Sequence, residues 1–158
     1  MLDTRHEIVY GKVCPYCGQN SEFVDSETIY GKSYGMIYLC RDCDAYVGVH
    51  KGKNRSLGRL ANKELREAKK RAHLYFDHIW KRKIQMGIAD EPSRKHGRNY
   101  AKWRDQCRKS AYTWLSEQLN IEKQYTHIGM FDIEHCEKVV ELCKPFYKPN
   151  YNYDYRYY

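Results

Sequence analysis

The 158-residue sequence has no run approaching the 18 apolar residues that a membrane span needs. Its start, MLDTRHEIVY, has neither the basic residues nor the apolar stretch of a signal peptide. Both absences point away from membrane and export, so the expected location is the cytoplasm. No glycine-rich phosphate loop of the P-loop or dinucleotide kind is present, and no serine elbow. An even set of cysteines is missing too. There are seven, and four of them fall in two close pairs, which suits a metal in a reducing compartment better than a disulfide framework.

Acid is scarce in the middle third. Residues 50 to 109 hold 19 Lys and Arg against 6 Asp and Glu, a local balance of +13, within a chain of net charge +8. The remainder holds 9 against 14, a balance of −5. A basic block between mildly acidic ends concentrates polyanions and speeds their capture, which makes DNA or RNA the leading class of partner. For any single Lys run on a helix, solubility alone is an adequate reason.

What is present in strength is a metal pattern. Cys14, Cys17, Cys40 and Cys43 read C-P-Y-C, a gap of 22 residues, then C-R-D-C. Two residues between thiolates let one tight turn present both sulfurs to a single ion, and two such turns close a tetrahedral four-sulfur site that suits zinc. The expected cofactor is one structural Zn2+. Four thiolates fill the coordination sphere, leaving no open position for a reactive water, so His50 is not needed by this metal. The second pair, and the lack of a surrounding βαβ pattern, argue against reading Cys14 and Cys17 as a redox dithiol.

The fold class expected is α+β: a small β zinc ribbon at 1–56, a helical region of about three helices packed on it at 57–145, and an extended, flexible tyrosine-rich tail at 146–158. SEFVDSETIY and GMIYLC read as strands joined at GKSYG, with HEIVYGKV and AYVGV as further candidate strands. So small a sheet buries little apolar surface, and the ion is expected to decide whether it folds.

From Asn62 the spacing becomes helical. Ala61, Leu65, Ala68, Ala72, Phe76 and Ile79 share one face, with Asn62 as cap. Arg59, Lys63, Arg66 and Lys70 form a basic stripe on the opposite face. MGIADEPSRKHGR reads as a loop or mobile hairpin. A second helix carries Tyr100, Trp103, Cys107, Ala111, Trp114 and Leu115 and ends near Asn120. A third starts at the capping candidate Asp132 and stops before Pro145, with Cys136 and Cys143 as core residues. The tail holds six tyrosines in its last twelve residues. They offer stacking surfaces to bases or to a protein, or a terminus that docks on its own domain.

Taken in order, CPYCG, IYG with YG following, CRDCDAYVGVH, LGRLANKELR, AHLYFD, AYTWLSEQL and HIGMFD resemble a zinc-finger-containing domain family of bacteria and phages. The resemblance covers most of residues 14 to 143 and implies zinc and a bacterial or phage origin, hence a host-cell cytoplasm if the protein is phage-encoded. Thr126 stands where a cysteine commonly precedes the His-Ile-Gly step, the loop around 85–98 is longer than usual, and the tyrosine tail lies outside the match.

Three functions compete. The leading one is a zinc-ribbon nucleic-acid-binding protein, in which Lys51, Lys53 and Arg55 form an arm, Arg59, Lys63, Arg66 and Lys70 add phosphate contacts, and Tyr46 or the tail stacks on bases. The alternative is a protein-interaction module, a phage factor that binds a host protein or sits in a phage particle. The third is a metal-dependent nuclease using His50, His73 and Asp77, with His73 and Asp77 four apart on one helical face. Asn62, His127 and Asp132 are polar groups of the same kind, but Asn62 and Asp132 are accounted for as helix caps.

Overall fold

The computed structural model of the chain describes residues 1–152. The tail tyrosines Tyr153, Tyr155, Tyr157 and Tyr158 lie outside the described residues. The fold is α+β, with a three-stranded antiparallel sheet in the order β1-β2-β3 and five α-helices among the described residues. The chain divides into two compact units. One comprises Met1–Lys70 with His127–Cys136, and the other Arg71–Thr126 with the described residues from Glu137 on.

In the first unit, β1 (Glu22–Asp25), β2 (Met36–Cys40) and β3 (Ala45–Gly48) form the sheet. Glu22 pairs with Leu39, and Cys40 with Ala45. The segment HEIVYGKV departs from the expected strand. Its residues His6–Val9 form one helical turn, α1, and Gly11 follows at φ +70°. The adjacent residues Ile8 and Val9 are both buried, which a half-buried strand of alternating faces cannot achieve and a helical turn can. The SETIY half of the second candidate strand is also helical, as α2 (Glu27–Tyr30). Beneath the sheet Cys14, Tyr38, Cys40, Ala45 and Leu60 form a small buried cluster.

Helix α3 (Lys63–Asp90) begins in this unit. Its start is fixed as the sequence indicates, with Asn62 Oδ1 accepting from the Leu65 amide at 3.0 Å. Two glycines then bring distant backbones together. A Cβ on Gly58 would lie 1.9 Å from the Gly129 carbonyl oxygen, and a Cβ on Gly129 would lie 2.2 Å from the Leu57 oxygen. The Arg59 amide donates to that same Gly129 oxygen at 3.0 Å. The LGRL and HIGMFD motifs are thus two sides of one backbone contact.

In the second unit, α3 continues through Gly87 to Asp90, past the expected start of a loop at Met86. The indole of Trp103 occupies the space a Cβ on Gly87 would take, with its nearest atom 2.2 Å from that position. Here glycine admits an aromatic ring and does not end the helix. The Trp103 Nε1 donates to the Ile84 oxygen at 3.1 Å. Only the short 3-10 turn Pro92–Lys95 and its flanks separate α3 from α4 (Gly97–Leu119), which ends at Asn120 in the left-handed conformation (φ +51°). Helix α5 (Ile133–Cys143) starts in the first unit from Asp132, whose Oδ1 accepts from the His135 amide at 2.9 Å, and its residues from Glu137 on belong to the second. Cys107, Cys136 and Cys143 are all buried. Thr126 is buried as well, its hydroxyl donating to the carbonyls of Ile121 and Glu122. The first residues of the tail dock on α3. The Tyr147 ring packs on Tyr75 and His78, and the Lys148 amide donates to His78 Nε2 at 3.1 Å.

Candidate metal centre

Each cysteine pair sits in a turn that the sheet or a bridge closes. Cys14–Cys17 is bracketed by the Val13–Asn20 bridge and tied by the Cys14 amide donating to the Gln19 oxygen at 2.8 Å. Cys40–Cys43 forms the reversal between β2 and β3, closed by the Cys40–Ala45 pair. The residue after each pair has positive φ, Gly18 at +76° and Asp44 at +47°. That left-handed step lets the chain curl around the sulfurs, and glycine or Asp adopts it at little cost.

All four sulfurs lie within 4.8 Å of one another. A tetrahedron of Zn–S bonds of about 2.3 Å sets its sulfurs about 3.8 Å apart; Cys17 Sγ and Cys40 Sγ are 3.7 Å apart. The donor chemistry also fits. The Gln19 amide, ahead of the neighbouring thiols, draws the Cys17 thiol below its usual range. Desolvation, reinforced by the other three cysteines, pushes Cys43 up to about 12. Four sulfurs this close ionise together only around a cation, and a closed four-thiolate set makes that cation structural. The residues present hold one structural zinc. Cys14 and Cys40 are buried, while Cys17 is exposed.

The chain leaves β3 at the end opposite the cysteine turn, where Gly48 pairs with Ile37, and continues into a hydrogen-bonded arm. The His50 amide donates to the Arg55 oxygen at 2.9 Å, the Lys53 amide to the His50 oxygen at 2.9 Å, and Val49 bridges Ser56. Tyr38, paired in the sheet with Val47, donates its hydroxyl to the Asn54 oxygen at 2.6 Å. Lys51, Lys53 and Arg55 are exposed on this turn, and none of them forms an ion pair with an acid among the described residues. His50 Nε2 lies 3.3 Å from the Arg55 guanidinium. Desolvation, then Arg55 and Lys53, lower its pKa.

The helical stripe is not uniform. Lys63 is exposed, and Lys70 is exposed while paired with Glu67 at 2.9 Å. Arg66 is half-buried, donating to the Asp44 and Ala61 carbonyls, with its guanidinium 4.2 Å from the centre of the Tyr46 ring. Arg59 departs from its expected solvent face. It is 4 % exposed and donates to the Met130 oxygen at 2.6 Å and the Asp3 oxygen at 2.7 Å. It precedes the helix, so the three-and-four spacing that placed it in the stripe does not apply to it.

His73 Nδ1 and Asp77 Oδ1 are 3.3 Å apart, and the indole N–H of Trp80 donates to the same oxygen at 3.0 Å. Among the described residues, the four cysteines are the only group of three or more Cys, His, Asp or Glu able to reach one ion. Tyr30 and Tyr34, which the sequence marks only as part of the IYG and YG motifs and gives no role, are both exposed on the ribbon. The signal that could have found them is the aromatic pair spaced four apart around Gly31 in a turn.

A family model described as a zinc-finger-containing domain matches residues 10–91 and 98–146. Its two segments take in both cysteine pairs, the arm, and most of α3 through α5, and the break between them falls at the turn joining α3 to α4. No curated protein and no solved structure matches the chain.

Proposed function

The chain belongs to the zinc-finger-containing domain family, and from that premise we propose that it is a cytoplasmic nucleic-acid-binding protein of bacterial or phage origin that grips phosphates with a zinc-braced basic arm. The observation that carries the reading is the arm itself. Three exposed cations, Lys51, Lys53 and Arg55, stand on a hydrogen-bonded turn, and no acid among the described residues is paired to any of them. Solvated surface lysines kept for solubility need no such scaffold, whereas fixed charges lose less freedom when they meet phosphate. Lys63, Lys70 and Arg66 extend the positive surface along α3. Arg59 plays no part in phosphate contact and instead joins the chain segments beneath.

The zinc contributes no chemistry to a substrate in this reading. It fixes the turn from which β3 and then the arm emerge. His50 supports the arm through its backbone bonds to Arg55 and Lys53, and with a lowered pKa it is neutral at pH 7.

The test is a fluorescence-anisotropy titration of the zinc-loaded protein with DNA and RNA oligonucleotides. Replacing Lys51, Lys53 and Arg55 together by Ala is expected to weaken binding and to reduce the slope of log K against log salt by about 2 to 3, at ~0.7 to 0.9 per phosphate contact. Unchanged binding in the triple variant sinks the proposal. A partner that co-purifies through nuclease and high salt would favour the protein-interaction reading instead.

A further inference from the structure

We propose that the ribbon carries a second contact surface, a base-stacking platform built from Tyr30, Tyr34 and Tyr46, and that its ligand is single-stranded nucleic acid. The inference rests on the nucleic-acid reading above and names the form of the polymer. Tyr34 is 72 % exposed and Tyr30 53 % exposed. Their rings meet edge to face at 5.7 Å, and Tyr30 meets Tyr46 the same way at 6.0 Å, with the Tyr30 hydroxyl donating to the Tyr46 hydroxyl at 3.1 Å.

Exposed aromatics on a loose loop would mean little, but this loop is fixed. Asp25 Oδ1 accepts from the Glu27 amide at 2.8 Å, and its Oδ2 from the Ser33 hydroxyl at 2.8 Å. The buried Ser26 hydroxyl accepts from the Tyr34 amide at 2.7 Å. Gly31 turns the chain at φ +67°. The loop is pinned at both ends of its turn, yet its two largest side chains contribute little to burial. Rigid, exposed aromatic rings on a scaffolded loop are a means of binding something flat.

Charge says what that something carries. Lys32 Nζ sits 5.6 Å from the Tyr34 ring centre, and the Arg66 guanidinium 4.2 Å from that of Tyr46. Arg66 and Lys70 both act electrostatically on Tyr30. Flat rings interleaved with cations match the alternation of base and phosphate along a nucleic-acid strand.

The sheet register then selects the single strand. Tyr38 pairs with Val47 and Leu39 with Tyr46, so Tyr38 and Tyr46 project from opposite faces. The arm is tied to the Tyr38 face through Asn54, and the platform lies on the Tyr46 face. A polymer that uses both must pass around a sheet whose strands are four or five residues long. Duplex DNA, with a persistence length of about 150 bp, does not bend that sharply, whereas a single strand does. Its unpaired bases also expose the faces that stacking needs.

The experiment compares the zinc-loaded wild type with Tyr34→Ala, Tyr30→Leu and the double variant, alongside the arm triple variant. The probes are oligo(dT), oligo(U), an abasic strand of equal length and a DNA duplex. Zinc content and melting temperature serve as folding controls. The double variant is expected to bind oligo(dT) or oligo(U) about 5- to 150-fold more weakly, the range for loss of stacking. Its salt slope and its binding to the abasic strand and duplex are expected to stay unchanged. Loss on only one of the two polymers identifies DNA or RNA as the ligand. Undiminished binding to both overturns the platform, as does an equal loss on the abasic strand or the duplex. If the arm variant loses binding and the tyrosine variants do not, the platform alone fails. If no probe binds the wild type, both proposals fail.

Discussion

Gly58 and Gly129 hold two chain segments closer than any side chain allows. A methyl group at Gly58 would overlap the Gly129 carbonyl, which is backbone and cannot rotate away. Gly58→Ala and Gly129→Ala are therefore expected to cost on the order of 1–3 kcal/mol or more, the range for overpacking, as read from urea melts. Gly48→Ala, where the nearest atom is a leucine methyl at an ordinary 3.5 Å, serves as the control and should cost much less. Lys69 reports on the same contact. Its Nζ donates to the Gly129 oxygen at 2.8 Å and the Arg59 oxygen at 3.2 Å. The side chain is half-buried by surface, but its nitrogen is enclosed. Burial pushes its pKa from 10.5 down to about 7, against the pull of Cys136 and with the push of Arg59. Between pH 7 and 10.5 the unfolded chain still binds the proton that the folded chain has released. This group's contribution to stability therefore rises with pH across that window and is smallest below it. Thermal melts from pH 6.5 to 9.5 should show wild type gaining on Lys69→Met as pH rises. A constant offset between the two would mean that the ammonium titrates normally.

At the scale of elements, the two cysteine turns and the three short strands depend on one another. Strands of four, five and four residues bury too little to stand alone, and ligation of a structural zinc supplies on the order of 10 kcal/mol or more. Chelation is expected to expose the amides of β2 to hydrogen exchange, and Cys14→Ser to do so without chelator, because Cys14 is a buried ligand. Protection that survives complete zinc removal would show that the sheet folds without the ion. The elements legible in the sequence are those whose signal is local. The cysteine spacing, the Asn62 and Asp132 caps and the end of α4 at Asn120 each follow from a few neighbouring residues. The elements misread are set from a distance. HEIVYGKV has strand composition, yet forms a helical turn because Ile8 and Val9 are buried together. MGIAD remains helical because an indole sixteen positions on fills the space beside Gly87. Neither partner is visible in a short window of sequence.

Across the whole molecule, the basic block overstates the charge available to a ligand. Of its cations, Arg59 is buried on backbone carbonyls and Lys69 is enclosed. Arg66 is tied to Asp44 and Tyr46, Lys70 to Glu67, Arg94 to Glu91 and the Trp103 ring, and Arg104 to Asp105. A local balance of +13 therefore does not mean thirteen phosphate contacts. This difference sets a measurable number, because each phosphate contact on a single strand contributes about −0.7 to the slope of log K against log salt. The arm with Lys63 and one or two helix cations predicts a slope of about −3.5 to −4, whereas a fully engaged block predicts about −9. A shallow slope would place the electrostatic grip on the arm and the first turns of α3. A slope near the steep value would mean that the paired lysine and arginines exchange their acidic partners for phosphate on binding. In that case charge-reversal of Glu67 or Glu91 to Lys should strengthen binding, and without such exchange it should leave the slope unchanged.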